Sequence, residues 1–142
     1  MVNVFYTTVE LWAVVVAALV SMVLGAAWYS PGMFGKMWIK LSGFTKKDQE
    51  RAEEEGMGSR YFLGFLSSLV MSFVLAVMIR IVGAGSGVSG AIVGFWLWLG
   101  FIATTTLGMV LWERKPFQLY LLNNGYSLMS LLVMGVMLGL WA

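Results

Sequence analysis

Two adjacent asparagines, Asn123 and Asn124, lie with Ser127 inside an apolar run that extends from about residue 117 to 141. Counted inward from the run ends at about 1.5 Å per residue, they share a depth with Ser21, Ser67, Ser68, Thr104, Thr105 and Thr106. Such a layer can do one of two things. It can hydrogen-bond helices to one another, at about 0.6 kcal/mol per bond, or it can line a water-filled vestibule or ligand pocket. Charges near the apolar runs are sparse. Glu10 and Arg80 fall near one end and form a candidate pair, and Glu113 and Arg114 flank the other. None sits at the centre of a run, where a deep charge would point to an ion pathway.

The side chains that carry most enzyme chemistry are missing. The 142 residues include no Cys and no His. That removes the usual ligands of zinc, haem and iron–sulfur centres and the usual bases and thiols of nucleophilic catalysis. No catalytic residue, metal or cofactor is therefore expected, and the chain reads as non-enzymatic. A net charge of +2, with no extended basic face, argues against a nucleic-acid partner. Sixty per cent of the residues are hydrophobic and only 11% charged, too few to cover the surface of a soluble fold.

The elements that would hold the polar layer follow from hydropathy. Four segments supply the ~20 apolar residues a spanning helix needs, at about 7–29, 61–82, 88–112 and 117–141. The fold class expected is an all-α integral membrane protein with the lipid bilayer as its first partner. All of the chain's 9 Lys and Arg except Arg80 fall in the loops after the first and third spans. By the positive-inside bias, both loops are expected in the cytoplasm and both termini outside, in a bacterial cytoplasmic membrane. Residues 1–10 hold no Lys or Arg, so the first span is expected to be a helix rather than a cleaved signal.

The cytoplasmic loop 30–60 carries two further patterns. In "WYSPGMFGKMW", Ser30 can cap a helix and Pro31 suits its first turn, while Met33, Phe34, Met37, Trp38 and Leu41 make one apolar stripe. The spacing predicts an interfacial amphipathic helix over 31–41, with Trp28, Tyr29, Phe34 and Trp38 at headgroup level and Lys36 and Lys40 facing anionic lipid. Thr45 and Asp48 then form a capping-box pattern opening a short solvated helix over 46–55.

Small residues four apart mark close helix contacts. They recur as Ala13, Ala17, Ser21 and Gly25; Gly64, Ser68, Ser72 and Ala76; Gly100, Thr104 and Gly108; and Gly135 and Gly139. Spans two and four also align, Tyr61 with Tyr120, Ser68 with Ser127 and Met78 with Met137. The four spans thus read as two parallel-repeat hairpins. The longer ridges suffice to pack the four-helix unit, so the Gly135–Gly139 step is expected to be left for contact between subunits of a homo-oligomer.

Two stretches carry a resemblance. "GAAWYSPGMFGKMWIKLSGF" and "GFIATTTLGMVLWERKPFQLYLLNNGYSLMSLLVMGVMLGLW" resemble the two ends of domain-of-unknown-function family 1761. The resemblance implies a small bacterial multipass membrane protein and brings no activity, ligand or catalytic residue with it. The chain departs from that family's pattern at Arg114, where many members carry Gly, and near Ser127, where many carry His. The function expected is that of a small, self-associating, non-enzymatic membrane protein. The competing expectation is an oligomeric channel or transporter for a small solute or ion.

Overall fold

An apolar run with no water beside it must satisfy its own amides, and a helix does so within one segment. A computed structural model describes residues 9–142, and the regular structure among them is entirely helical. The order is α1 Leu11–Trp28, α2 Gly35–Ser42, α3 Lys46–Glu55, α4 Met57–Val82, α5 Gly87–Leu97, a π-helical segment Trp98–Ala103, α6 Gly108–Leu111 and α7 Phe117–Leu140. Four segments are long and apolar enough to cross a membrane: α1, α4, the composite Gly87–Leu111, and α7. Thr7 and Thr8, expected in the first span, lie outside the described residues.

The four crossings pack as hairpins, α1 on α4 and α5 on α7, with α7 also touching α1 and α4. Residues near the start of α1, the end of α4 and the end of α7 therefore gather at one end, here the terminal end. The loops rich in Lys and Arg gather at the other, the basic end. The apolar core sits toward the terminal end: Ala13, Val14 and Ala17 of α1 meet Leu75, Ala76 and Ile79 of α4 and Leu131, Met134 and Leu138 of α7. Ser72, fully buried, donates to the Val14 carbonyl at 2.9 Å and ties α4 to α1 there.

Glycine decides how α5 meets α7. A Cβ on Gly90 would collide with the Gly135 carbonyl and lie 3.0 Å from the Gly139 Cα. A Cβ on Gly135 would reach Ala91 Cα at 3.1 Å, and one on Gly139 would strike the Ser86 carbonyl. The Gly135–Gly139 step is thus consumed inside the protomer, because α5 brings its own glycine to the same place, and it is not left over for a second subunit. Conversely, Gly64 and Gly100 have open space where a Cβ would point. The Gly64–Ser68 part of the α4 ridge faces outward, and only Ser72 and Ala76 of that ridge are buried.

Two further expectations change. The third crossing is not one regular helix over 88–112. It shifts to π geometry at Trp98–Ala103 and turns at 106–107 before α6. Thr104 and Thr106 donate back to the Gly100 and Ile102 carbonyls at 2.7 and 2.6 Å, and Thr105 to that of Phe101; such back-bonding loosens and bends helices. The amphipathic helix starts at Gly35, not at residue 31. Ser30 does not cap it: its hydroxyl donates to Ala27 at 2.7 Å, and its carbonyl accepts from Gly35 N at 2.9 Å. The two hairpins are not identical in detail. Ser68 makes no side-chain hydrogen bond among the described residues, whereas its aligned partner Ser127 bonds within α7 and to Trp98.

The α5–α7 contact predicts an asymmetric response to adding one methyl group. Gly90→Ala should lower stability by about 1–3 kcal/mol through overpacking, while Gly64→Ala, which enters open space, should bring no loss. Thermal unfolding followed by circular dichroism in mild detergent measures both.

Candidate functional site

The polar residues of the basic half gather around α7. On its α1 side, Ser21 and Ser130 share a hydrogen bond of 2.6 Å, and the Tyr126 hydroxyl donates to the Ser21 carbonyl at 2.9 Å. Gly25 makes room for that phenol: a Cβ there would lie 2.9 Å from the Tyr126 oxygen. The Trp28 indole donates to the Leu122 carbonyl at 3.1 Å and lies against Gly125. Tyr29 donates to Asn123 Oδ1 at 2.8 Å.

On the other side of α7, Thr106 donates to Asn124 Oδ1 at 3.0 Å, and Asn124 Nδ2 donates to the Tyr120 carbonyl at 2.9 Å. The Trp98 indole donates to the Asn124 carbonyl at 3.1 Å and Ser127 Oγ at 3.2 Å. Tyr120 donates to the Ala103 carbonyl, the last residue of the π segment, at 2.6 Å. The Asn124–Tyr120 bond stays within α7; every other of these bonds crosses between segments, and the Tyr120 hydroxyl also serves a carbonyl of the irregular third crossing. Among the described residues no buried side-chain nitrogen or oxygen lacks a partner.

The sequence-derived candidates divide accordingly. Ser21, Asn123, Asn124 and Ser127 come together on α7 and its neighbours. Thr104 and Thr105 are exposed and bond only to their own helix, and the threonine that reaches α7 is Thr106. Ser68 stays outside the layer. Glu10 and Arg80 line one crevice of about 10 Å³ with Trp141 and Leu138 but form no ion pair within 4.0 Å. Tyr120, Tyr126, Trp28 and Trp98 are further donors in the layer, which hydropathy counts as apolar bulk or interfacial anchors. Their residue type is the signal, since a buried Tyr or Trp needs a partner for its O–H or N–H.

The interfacial anchor is likewise divided. Trp28 and Tyr29 turn inward onto α7, and Phe34 packs on Trp28 with ring centroids 4.6 Å apart. Lys36 and Lys40 line an outer groove with Met37, Leu41 and Gln118. Gly35, Trp38 and Ile39 face the opposite way, into a cavity of about 860 Å³ bounded also by α3, the start of α4 and Asn123. Helix α3 is held at its start by the capping box: Thr45 Oγ1 accepts from Asp48 N at 3.2 Å and the Asp48 carboxylate accepts from Thr45 N at 2.9 Å. The Thr45 backbone bond, then its hydroxyl, hold the Asp48 carboxyl below its usual pKa. The cap is accordingly complete above the carboxylate range and loosens as pH falls through the lowered value.

The two threonines separate a cross-helix bond from a local one. Thr106→Val should cost about 0.6–1.7 kcal/mol, and Thr105→Val should stay within about 0.5 kcal/mol of the parent. Denaturant titration of the purified protein in detergent distinguishes them.

Neither a curated protein nor a solved structure matches the chain. The family described as "Protein of unknown function (DUF1761)" matches residues 12–139. That span takes in all four apolar crossings but for Leu11 and Leu140 at their outer ends, the α2–α3 connection and every side chain of the polar layer, and the chain belongs to this family.

Proposed function

We propose that the chain is a non-enzymatic, self-associating protein of a bacterial cytoplasmic membrane, its basic loops in the cytoplasm and both termini outside. The observation that carries this reading is the hydrogen-bonded polar layer on α7. Its buried hydroxyls, its indoles and the Asn124 amide are spent on one another and on backbone carbonyls, which is the arrangement of a seam between helices rather than of a solute path; the half-buried Asn123, bonded to Tyr29, borders the basic-end cavity. The orientation is supported by the concentration of Lys and Arg at one end of the bundle.

Self-association is supported by what the protomer leaves open. Away from the cavity, the basic half of α4 makes little contact with the other crossings: Phe62, Leu63, Leu66 and Val70 are all exposed apolar side chains. Gly64 and Ser68 lie in the same stretch, where a second backbone can approach.

Two experiments test the reading. Single cysteines at Thr45 and Lys115 should be protected from an impermeant maleimide added outside intact cells, and one at Ala142 labelled; the reverse pattern inverts the orientation. In light scattering of detergent-solubilised protein, Gly64→Leu should lower the oligomer population with helicity kept. Gly139→Leu should unfold the protomer instead, because that glycine serves the α5 contact. A wild-type monomer at every concentration removes self-association.

A further inference from the structure

The cavity at the basic end differs from the polar layer in chemistry. Tyr29, Trp38 and Phe44 form a contiguous aromatic wall, with ring centroids 6.3 Å apart for Tyr29 and Trp38 and 5.2 Å for Trp38 and Phe44. Tyr61 faces them from α4. Among the lining residues Glu53 is the one with a formal charge, and no Lys or Arg reaches the lining. Glu53 has no ion pair within 4.0 Å among the described residues. The charges are separated: α2 turns Lys36 and Lys40 into the outer groove beside Gln118, and α3 places Glu53, itself solvent-exposed, at the rim of the cavity. A loop with an excess of Lys and Arg thus holds a cavity whose lining carries a single negative charge.

Aromatic faces attract cations through the ring quadrupole, and a carboxylate beside them sets the sign. A volume of about 860 Å³ falls in the range of small-molecule sites, roughly 300–1,000 Å³. We infer that this cavity binds a singly charged organic cation with an apolar body, held between the aromatic wall and Glu53. An anion of the same shape is rejected by the carboxylate and gains nothing from the ring faces. The same ammonium chemistry is carried by free amphiphilic cations and by the headgroups of choline lipids.

Equilibrium binding of tetraphenylphosphonium to the full-length protein in nanodiscs of neutral lipid tests the inference. Wild-type protein should show a saturable component. Glu53→Gln should weaken it about tenfold, whereas Glu54→Gln, an equal change in net charge outside the lining, should leave it within about twofold. Trp38→Leu should weaken it as well, with helicity unchanged. Tetraphenylborate, matched in shape and opposite in charge, should show no saturable component. Displacement by excess dihexanoylphosphatidylcholine assigns the native occupant to a lipid headgroup, and failure to displace assigns it to a free cation; either result keeps the site. No saturable binding to wild type, equal binding of the borate, or an unchanged affinity in Glu53→Gln overturns it.

Discussion

The backbone contact between α5 and α7 is the constraint on which the rest of the bundle depends. Two helices ordinarily stay 8–10 Å apart because side chains intervene. At Gly90, Gly135 and Gly139 none does, and the carbonyl of one helix lies where the other would carry a Cβ. So close an approach gains dispersion contacts along the terminal half of both helices, the main attraction available to helices in lipid. It also fixes the face that α7 turns to α1 and α4. Leu131, Met134 and Leu138 then point into the core formed with Ala13, Ala17, Leu75 and Ile79. Small residues on α1 and medium ones on α4 fill the space that this orientation leaves.

The basic half is built on a different principle. It has fewer buried aliphatic side chains, and its order comes from directional bonds made by Tyr, Trp, Asn, Ser and Thr. The π segment belongs to this arrangement. Departing from α geometry disturbs the regular pairing of carbonyls in the third crossing, and the Ala103 carbonyl finds its donor in Tyr120. The phase shift also rotates the three threonines, so that Thr106 and not Thr104 or Thr105 meets Asn124. Packing by glycine demands shape, and packing by hydrogen bonds demands direction; the bundle uses one at each end.

That division explains what could be read in advance. Hydropathy reports the number and rough place of the crossings, since about 20 apolar residues leave little choice in lipid. The capping box of α3 is legible because Thr45 and Asp48 need only local geometry. The Gly135–Gly139 step is legible as a close contact but not as to its partner. The partner is Gly90, on a helix whose GVSGAIVG stretch has its own glycines, and pairing two such stretches is a tertiary matter. The polar layer is half legible. Depth counting finds Asn123, Asn124, Ser21 and Ser127, but it assumes a constant rise and phase, which the π segment breaks. It also passes over Tyr and Trp, which count as apolar in hydropathy and act here as donors. Arg114 is a related case: it adopts φ 56°, a backbone that glycine enters at least cost, and the resemblance placed glycine at this position in many relatives.

The connection between α1 and α4 shows how a local steric fact reaches the cavity. A Cβ on Gly35 would meet the Tyr29 carbonyl and lie 2.8 Å from Ser30, so the chain can fold back beneath α1 as soon as it leaves that helix. Phe34 N and Gly35 N close the turn on the Trp28 and Ser30 carbonyls at 3.0 and 2.9 Å. The reversal brings Trp38 edge-on to Tyr29, and Tyr29 is itself fixed by Asn123. The aromatic wall is therefore positioned by α7 through a single phenol rather than by the loop alone. Helix α3, started by its cap and ended at Gly56 with φ 95°, then carries Ala52 and Glu53 across from that wall before α4 begins. One of the bonds that tie the end of α1 to α7, from Tyr29 to Asn123, is in this way also the bond that positions the aromatic wall of the cavity.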